Sequence, residues 1–344
     1  MATPTGMGRI KNGPSIKDVA LLAGVSAQTV SRVSNGAESV STATRDRVIA
    51  AMDELGYSPN YAARALRNGS FGTIGVITQQ LRRMGESLTT SAIVQAAEEQ
   101  GYSVTLIQVK NPESGGLKQA AFRISHQAID GLIVVRSGHA TYGSLSLPPG
   151  LPVAVSDSRM IGFFPSVVAD QVAGTRDAIH HLLDLGHRTV HHIAGAPDSQ
   201  PALVRAATWQ RTLGESGVST PEPWEGDWTA RSGYQIGVRI AGDPSVTAVY
   251  CANDEMAFGL MRALHEHGLR VPEDVSVVGF DGIDLSEFAS PPLTTVRQDF
   301  DRIGRELFTL VHSQISTGVT AERQRVVVPT ELLVRGSTAP PRTH

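Results

Sequence analysis

The chain of 344 residues contains a single cysteine and no long apolar segment. Because Cys251 has no second cysteine to pair with, an intrachain disulfide is excluded and a reducing compartment is expected. No apolar run approaches the ~20 residues that a membrane-spanning helix needs. Residues 1–14 lack the apolar segment of a secretory signal and are expected to form a disordered leader. These absences favour a cytoplasmic protein that does not contact a membrane.

The sequence also lacks the short motifs that mark several enzyme classes. No Gly-x-Gly-x-x-Gly motif follows a predicted strand, and no phosphate-binding loop ending in Gly-Lys-Ser/Thr is present. His191 and His192 are neighbours on a predicted strand and so face opposite ways. His265 and His267 lie about 200° apart on a predicted helix, which is a poor arrangement for chelation. We therefore expect no catalytic site, no metal and no cofactor.

Charge is distributed unevenly although the net charge is only −3. Residues 1–70 contain eight Lys and Arg against five Asp and Glu, so the remaining residues carry a net −6. A basic N-terminal part on an acidic body is typical of a protein whose N-terminal part contacts phosphate groups. An excess of three positive charges over seventy residues is also common on ordinary surfaces, so it carries little weight alone.

Residues 15–58 have the pattern of a DNA-binding head. Ser15 can cap a helix that runs from Ile16 to about Ala23, whose apolar residues recur at the spacing of one helix face. Gly24 supplies a left-handed turn, and Ser26 can cap a second helix of about ten residues. Two helices joined by a short glycine-containing turn form a helix-turn-helix unit, whose second helix lies in the DNA major groove.

Polar residues on the second helix are candidates for contacts with DNA. Gln28 can form two hydrogen bonds with adenine, and Arg32 can form two with guanine. Ala27 lies beside them, toward the helix N-terminus that faces the base edges. Side chains that suit phosphate contacts are Thr29, Ser31 and Asn35. The alternative interpretation is an ordinary solvated helix face.

A third helix and a short hinge helix follow. Ser41 can cap the third helix, which ends at Gly56 and whose apolar stripe is expected to contain Val48, Ile49, Met52 and Leu55. The hinge, residues 59–71, has a helix of about two turns that is marginal alone and is expected to form against DNA and a second copy of the chain. In it Asn60 is the cap, Ala63 permits close approach and Leu66 is a wedge for the minor groove. A flexible linker is the alternative.

Beyond residue 71, short apolar runs alternate with helical segments. The predicted strands are Thr73–Ile77, Val104–Val109, Gly131–Val135, Val153–Val155, Val190–Ala194, Ala248–Cys251 and Val275–Phe280. They lack period-2 polarity, which indicates parallel strands covered on both faces. Helices are predicted between them, for example Thr89–Gln100, Thr175–Leu185 and Asp254–His267. The pattern predicts α/β lobes, and about 265 residues are too many for one sheet, so two similar lobes are expected.

Several polar residues follow predicted strands and are candidates for a ligand site between the lobes. Ligands bind at the carboxyl ends of such strands. Side chains that could form hydrogen bonds with ligand hydroxyls are Asp157, Arg205, Asn253 and Asp281. Side chains whose aromatic faces could stack on a sugar ring are Trp228 and Phe300. Asp254 is expected to cap the following helix instead. This inventory favours an uncharged, polyhydroxylated ligand.

The chain resembles the lactose/galactose repressor family of bacterial transcription regulators from about Ser15 to Thr338. The motifs that carry the resemblance are DVALLAGVSAQTVSRVSNG, YSPNYAARALRNG, LGHRTVHHIAG, CANDEMAFGLMRALHEHG, VSVVGFDGID and PPLTTVRQDF. The second half, with GDWTARSG, is especially similar to the family's lactose-controlled member. Ala27 departs from the bulky residue present there in that member, so the operator is expected to differ at the base pair that Ala27 faces.

The resemblance implies a helix-turn-helix head with a hinge helix and a periplasmic-binding-protein-like body. It implies lobe 1 at about 72–169 and 299–327, and lobe 2 at about 170–298 and 328–338, with crossings near Asp170, Asp299 and Val328. By position, Ala27, Gln28 and Arg32 contact bases and Leu66 bends DNA. Positions matching sugar contacts are Arg205, Asn253, Asp281 and Phe300, with Gln79 and Asp157 at the rim of lobe 1.

The expected function is therefore repression of sugar-utilisation genes, released from double-stranded operator DNA by a sugar or glycoside. The alternatives are a secreted sugar-binding protein, which needs no head, and a regulator controlled by a partner protein or a non-sugar metabolite. Arg82 and Arg83 could serve a partner contact but are expected to be solvated. The C-terminal segment lacks leucine heptads, so a homodimer is expected, with residues 339–344 as a frayed tail.

Overall fold

The structure is a computed structural model that describes residues 14–34, 37, 39–57, 70–109, 116–125, 128–135, 147–156, 160–319 and 324–342. The chain divides into two compact units, Met1–Phe71 and Gly72–His344. Within the described ranges, no helix has both the length and the apolarity needed to cross a membrane.

The first unit contains the helices α1 (Ile16–Ala23), α2 (Ala27–Ser34) and α3 (Thr42–Leu55). Their shared core centres on Val19, Val30 and Val48, one from each helix and each fully buried. Gly24 ends α1 with a φ of 65°, a left-handed conformation that glycine adopts without steric cost. The predicted helix-turn-helix is thus confirmed, with its turn at the predicted glycine.

Local hydrogen bonds fix where these helices begin. The Asp18 carboxylate accepts hydrogen bonds from the backbone and hydroxyl of Ser15, each at 2.7 Å. These bonds lower the pKa of Asp18. At the start of α2, the Ser26 hydroxyl accepts a hydrogen bond from the backbone N–H of Thr29 at 3.1 Å, as predicted for a capping serine.

The predicted apolar stripe of α3 is wrong at Ile49, which is 45% exposed. Ala51 is buried in its place, and Met52 and Leu55 are partly buried against the same core. The neighbouring helices approach Val48 and Ala51 from one side, and the small alanine lets them come close.

The second unit contains two sheets with their helices. In chain order its elements are β1 (Thr73–Thr78), α4 (Met84–Glu99), β2 (Ser103–Gln108), α5 (Gly116–Ser125), β3 (Gly131–Val135), β4 (Val153–Ser156), β5 (Ser166–Ala169), α6 (Gln171–Asp184), β6 (His191–Ala194), α7 (Gln200–Glu215), β7 (Trp224–Glu225), α8 (Ala230–Ile240), β8 (Ala248–Cys251), α9 (Asp254–Glu266), β9 (Ser276–Asp281), β10 (Thr294–Gln298), α10 (Phe300–Thr317), β11 (Arg325–Val328) and β12 (Thr330–Leu333).

Lobe 1 is built on the sheet β11-β5-β4-β3-β1-β2, in which every pairing is parallel. One face packs against α4 and α10, and the other packs against α5. Lobe 2 is built on the sheet β12-β10-β9-β8-β6-β7, which is parallel except for β12. Helices α6 and α7 cover one face, and α8 and α9 cover the other. The predicted two-lobed α/β fold is confirmed.

The chain passes between the lobes three times, at Asp170, Asp299 and Pro329. The first two crossings end in an aspartate whose side chain caps the next helix, because it accepts a backbone hydrogen bond from Ala173 or Arg302 at 2.9 Å. The backbone N–H of Asp170 also donates to the carbonyl of Val328 at 2.8 Å, so two of the crossings are joined directly.

The expected frayed tail, residues 339–344, is wrong for residues 339–342, which pack on lobe 2 together with the preceding Ser337. Ser337 is fully buried and donates to the carbonyl of Val277 at 2.6 Å. The carbonyl oxygen of Ala339 lies 3.0 Å from His187 Nε2, and Arg342 forms an ion pair with Asp274. The two prolines of this segment disfavour a helix, and Ser337 just before them pairs with the backbone of Val277 at the start of β9.

Candidate DNA-binding helix and ligand-binding cleft

Helix α2 presents its polar residues to solvent because its two valines face the core. Gln28 and Arg32 are exposed, while Ala27, Thr29 and Ser31 are half-buried. The hydroxyl of Thr29 lies 3.0 Å from that of Ser26, so it is engaged in the cap. The predicted contacts at Asn35, Asn60, Ala63 and Leu66 lie outside the described residues.

The turn after α2 is fixed to α3 by an arginine. Nη2 of Arg45 donates a hydrogen bond to the carbonyl of Ala37 at 2.8 Å. This contact holds the C-terminal end of α2 against α3. The exposed face of α2 is therefore presented by a folded three-helix unit, as a groove-binding helix requires.

In the body, Arg205 of α7 is the largest fully buried side chain. Its Nε donates to the side-chain oxygen of Gln171 at 2.7 Å, and its Nη1 donates to the carbonyl of Ala252. Its Nη2 lies 3.6 Å from Oδ1 of Asp281. A buried cation needs partners of this kind, because an unpaired one would lose its hydration without compensation.

Two glutamines complete a closed polar ring with this pair. Gln298 donates to Oδ1 of Asp281 at 2.6 Å, and Gln171 donates to the side-chain oxygen of Gln298 at 3.2 Å. Arg205, Gln171, Gln298 and Asp281 thus form one circuit, called here the polar ring. The sequence prediction missed both glutamines, since neither directly follows a predicted apolar strand and only the folded sheet brings α6 and β10 together.

Trp228 and Asp281 are the only non-glycine residues with positive φ in the described ranges, at 77° and 119°. Such a backbone is strained for residues with a Cβ and persists only where the surroundings impose it. The Trp228 ring lies 5.6 Å from the Arg205 guanidinium carbon. Strained backbone at two predicted cleft residues, both beside Arg205, is typical of a binding site.

Buried polar atoms in this region without a hydrogen-bond partner among the described residues include Nε1 of Trp228, Oγ of Ser199 and Oδ1 of Asp198. Buried polar groups are nearly always satisfied, so unpartnered ones mark a position for a ligand or water. Asp198 and Ser199 lie in the loop between β6 and α7, and a search of the whole loop after each predicted strand could have found them.

The start of α9 places two candidates differently from expectation. Asn253, not Asp254, caps the helix, because its Oδ1 accepts from the backbone N–H of Met256 at 3.0 Å. The Asn253 amide also donates to the carbonyl of Trp228 at 3.0 Å. Asp254 points inward instead and is fully buried, so its prediction as the cap is wrong.

Asp254 holds the turn that carries Asp281. Its carboxylate accepts from the backbone of Ile283 at 2.9 Å and from the hydroxyl of Thr295 at 2.5 Å. Burial, with a smaller effect of the Asp281 charge, raises the pKa of Asp254 to about 8. The side chain is thus a buried acid near Asp281 that keeps its proton to a higher pH than an exposed aspartate does.

The remaining candidates lie around this cluster. Gln79 is buried at the end of β1, and its amide lies 3.5 Å from Oδ2 of Asp198 in the opposite lobe. Phe300 is 9% exposed and packs into the core of lobe 1, beside the crossing at Asp299. Asp157 lies outside the described residues.

A cavity of about 780 Å³ lies between the lobes near two of the crossings. Met84 and Phe300 line it from lobe 1, and Ile283 and Gln298 line it from lobe 2. It meets the polar ring only at Gln298. We therefore assign the candidate site to the polar ring and its unpartnered neighbours, where the strained backbone and buried charge lie, rather than to the cavity. No group of three metal-binding side chains occurs in the part of the chain that the structure describes.

Comparisons with known proteins match both units. Residues 15–60 match the family of bacterial regulatory proteins named lacI, and residues 179–338 match the periplasmic binding protein-like domain. The lactose operon repressor of Escherichia coli (strain K12) is 37% identical over 336 residues, which cover 96% of this chain and 92% of that protein. The transcriptional repressor PurR of Pasteurella multocida (strain Pm70) is 35% identical over 334 residues, covering 94% and 98%.

Solved structures agree with these matches. The lac repressor dimer bound to operator and the anti-inducer ONPF is 34% identical, with a TM-score of 0.84 over 95% of this chain and 100% of that one. The complex of the regulator CelR with cellobiose is 30% identical, with a TM-score of 0.70 over 94% and 99%. The chain therefore belongs to the lacI family of bacterial regulatory proteins and is a non-enzymatic, DNA-binding transcriptional repressor.

Proposed function

We propose that this repressor binds a pseudo-palindromic operator as a homodimer and is released by a sugar or glycoside bound at the polar ring. The observation that carries the proposal is the set of unpartnered buried atoms near the buried ion pair of Arg205 and Asp281. Trp228 Nε1 donates only, Asp198 Oδ1 accepts when ionised, and the Ser199 hydroxyl does both. Neighbouring hydroxyl groups of a sugar can satisfy all three kinds of atom.

The aromatic faces in this region favour a hydroxyl-rich ligand over a flat heteroaromatic base. The Phe280 ring is covered by the Arg205 guanidinium, whose central carbon lies 3.6 Å from the ring centroid. The Trp228 ring lies so close to Gly195 that a Cβ there would overlap it. Two of the ring faces that a stacked base would use are therefore occupied already.

The names of the relatives leave two classes of effector open. CelR is described in complex with cellobiose, and lac repressor structures carry ONPG or ONPF. PurR proteins are similar over nearly the same length. A non-sugar metabolite such as a purine, or a partner protein, is therefore the alternative controlling signal.

In the head, we assign base contacts to the exposed side chains of α2. Gln28 and Arg32 would contact base edges in the major groove, with Ala27 facing a third base pair. Thr29, Ser31 and Asn35 would contact phosphates. In the hinge, Asn60, Ala63 and Leu66 would form a helix in the minor groove and bend the DNA.

The head assignment is tested by operator affinity, with the operator first selected from random DNA by the purified protein. Arg32→Ala should weaken binding by about 5- to 150-fold, because a bidentate arginine–guanine contact is worth about 1–3 kcal/mol, and it should relax the preference at one base pair. Arg239→Ala removes the same charge from an exposed position in lobe 2 and is the control. An Arg32 variant that behaves like the Arg239 variant contradicts the assignment.

The twofold operator requires a twofold protein. Solved relatives include dimers of the lac repressor. Light scattering of the purified protein should give twice the mass of one chain, and a monomer or tetramer contradicts the homodimer.

The effector is identified by a thermal-shift screen with neutral monosaccharides, disaccharides and glycosides, and with purines as the competing class. A ligand that binds only the folded protein raises the melting temperature by mass action, about 2.7 kcal/mol of stabilisation at a hundred times Kd. A response to a glycoside supports the proposal. A rise in melting temperature with purines alone contradicts it. So does the absence of any rise across the panel when the protein is shown to be folded.

A further inference from the structure

The turn that carries Trp228 joins β7 to α8 and is anchored at both ends. Before Trp228, the backbone N–H of Gly226 donates to the carbonyl of Ala194, at the end of β6, at 2.9 Å. After it, the hydroxyl of Thr229 caps α8, because it accepts a hydrogen bond from the backbone N–H of Ser232 at 3.1 Å. Trp228 is thus held between two fixed points of lobe 2.

Asp227 closes this turn over Trp228. Its Oδ1 accepts hydrogen bonds from the backbone N–H of Thr229 at 2.9 Å and from the Thr229 hydroxyl at 2.5 Å. The backbone N–H of Asp227 donates in turn to the hydroxyl of Ser232 at 3.2 Å. A carboxylate that accepts from the backbone two residues further on forms an Asx turn, which encloses the residue between them. The enclosed residue here is Trp228.

The backbone conformation enclosed in this way is one that tryptophan rarely adopts. Trp228 has a φ of 77°, in the left-handed region, where a side chain with a Cβ is strained and persists only if its surroundings impose the conformation. On the opposite side, the Asn253 amide donates to the Trp228 carbonyl at 3.0 Å. The backbone of Trp228 is therefore restrained from the exposed turn and from the start of α9.

The strained backbone determines where the indole ring lies. The ring packs so closely on Gly195 that a Cβ there would overlap it, and its centroid is 5.6 Å from the guanidinium carbon of Arg205. Trp228 is buried, and its Nε1 has no hydrogen-bond partner among the described residues. Because the direction of a side chain follows the backbone dihedral angles, a relaxed backbone would move the indole away from Arg205.

We propose that Asp227 is a positioning residue for the effector site. Its Asx turn imposes the left-handed conformation of Trp228, and that conformation holds the indole N–H beside Arg205 for a hydroxyl group of the effector. Asp227 acts through Trp228 and does not contact the effector itself. The effector part rests on the sugar or glycoside control proposed above, whereas the positioning of the indole concerns the protein alone.

Two substitutions separate positioning from an effect of charge. Asp227→Asn removes the charge but keeps an oxygen that can accept both hydrogen bonds from Thr229, whereas Asp227→Ala removes the acceptor. Asp243→Ala is the matched control, because Asp243 forms the same kind of turn elsewhere in lobe 2. Its Oδ1 accepts from the backbone and the hydroxyl of Ser245 at 3.0 and 2.6 Å.

The first measurement is the NMR spectrum of the indole N–H groups in the full-length protein, labelled with ¹⁵N-tryptophan and free of effector. The chain has three tryptophans, and Trp228→Phe assigns the signal of Trp228. Gly195→Ala displaces the ring by overlap and provides a reference for a moved indole. Asp227→Ala should shift or broaden the Trp228 signal, whereas Asp227→Asn and Asp243→Ala should leave it in place.

The second measurement is calorimetric binding of the glycoside that gives the largest thermal shift, with operator affinity measured alongside. Asp227→Ala should weaken glycoside binding by about fivefold or more, roughly the effect of one lost hydrogen bond. Asp227→Asn and Asp243→Ala should bind the glycoside like the parent. Operator affinity without glycoside should be the same in all three variants, which distinguishes a misplaced indole from a general loss of folded protein.

An unchanged Trp228 signal in Asp227→Ala overturns the proposal, whatever the effector is. Equal weakening of glycoside binding in Asp227→Ala and Asp227→Asn also overturns it, because the charge and not the turn would then be responsible. If the parent protein binds no glycoside, the control proposed above fails, and the indole spectrum alone decides whether Asp227 positions Trp228.

Discussion

Asn253, Asp254 and Glu255 are consecutive in the chain, yet each makes a different kind of contact. Asn253 caps α9 and holds the carbonyl of Trp228. Asp254 points into lobe 2 and holds the turn after β9. Glu255 accepts a hydrogen bond from the Asn253 side-chain amide at 3.3 Å. The start of α9 thus connects the Trp228 backbone to the turn that follows the strained Asp281.

At the residue scale, Asp254 makes the stability of the protein depend on pH. Its pKa is raised to about 8, well above that of an aspartate in an unfolded chain, which is about 3.9. Between these values the folded protein keeps a proton that the unfolded chain releases. The contribution of this group therefore becomes less favourable as pH rises from about 4 to 8 and levels off above 8.

Asp254→Asn should remove this dependence. Its amide can accept from the backbone of Ile283 and donate to the Thr295 hydroxyl, so both hydrogen bonds survive without a charge. The melting temperature of the variant relative to the parent should rise by several degrees between pH 5 and pH 9. Asp177→Asn, at an exposed position of α6, is the control. Parallel pH profiles for the Asp254 variant and the parent would contradict the assignment.

Individual site residues were predictable from sequence where they follow a strong strand pattern. Arg205, Asn253 and Asp281 were found in this way or by resemblance, and the structure brings them together around Trp228. The sequence did not predict that the Asp254 side chain points into lobe 2. Asn253 and Asp254 are adjacent at the start of α9, and either side chain could have capped the helix. Gln171 and Gln298 needed the folded sheet, since they meet only through hydrogen bonds between distant segments.

At the element scale, α8 and α9 pack closely through two glycines. A Cβ at Gly259 would overlap the carbonyl oxygen of Ala230, and one at Gly233 would overlap the carbonyl of Met256. The backbone of each helix therefore touches the other. This contact fixes the position of α9, whose first turn carries Asn253, Asp254 and Glu255.

Gly259→Ala should separate these helices and destabilise the protein by about 1–3 kcal/mol or more, because backbone cannot yield as a side chain can. Gly214→Ala is the matched control, since Gly214 is an exposed helical position where a Cβ meets nothing. That control should be neutral or stabilising by roughly 0.5–1 kcal/mol. Urea unfolding measures both variants, and equal midpoints would show that the helices do not pack as described.

Continuous apolar strands were predictable, whereas strands with polar residues were not. Every apolar run proposed as a strand overlaps a strand of the structure. The strands β5, β7, β10, β11 and β12 were not proposed, because several of them carry polar or charged side chains that interrupt the apolar pattern. The packed residues 337–342 were missed for a related reason, since they bind lobe 2 through backbone groups and small hydroxyls that leave no apolar pattern.

At the scale of the whole molecule, the two lobes are linked by three crossings of the chain. The crossings at Asp170 and Val328 are hydrogen-bonded to each other, which restrains how the lobes can turn. A ligand changes such an arrangement only if it binds one lobe angle better than the other. The polar ring lies at the strand ends of lobe 2, so an effector that also contacts lobe 1 can discriminate between angles.

The most direct test of this account is an operator-release titration by fluorescence anisotropy, using the selected operator and the glycoside that gives the largest thermal shift. The account predicts that this glycoside releases the parent protein and Asp177→Ala equally, whereas Asp281→Ala binds the operator normally but needs at least a tenfold higher glycoside concentration for release. If Asp281→Ala responds like the parent, or if no panel member that binds the protein alters operator affinity, the proposed control of DNA binding through the polar ring is wrong.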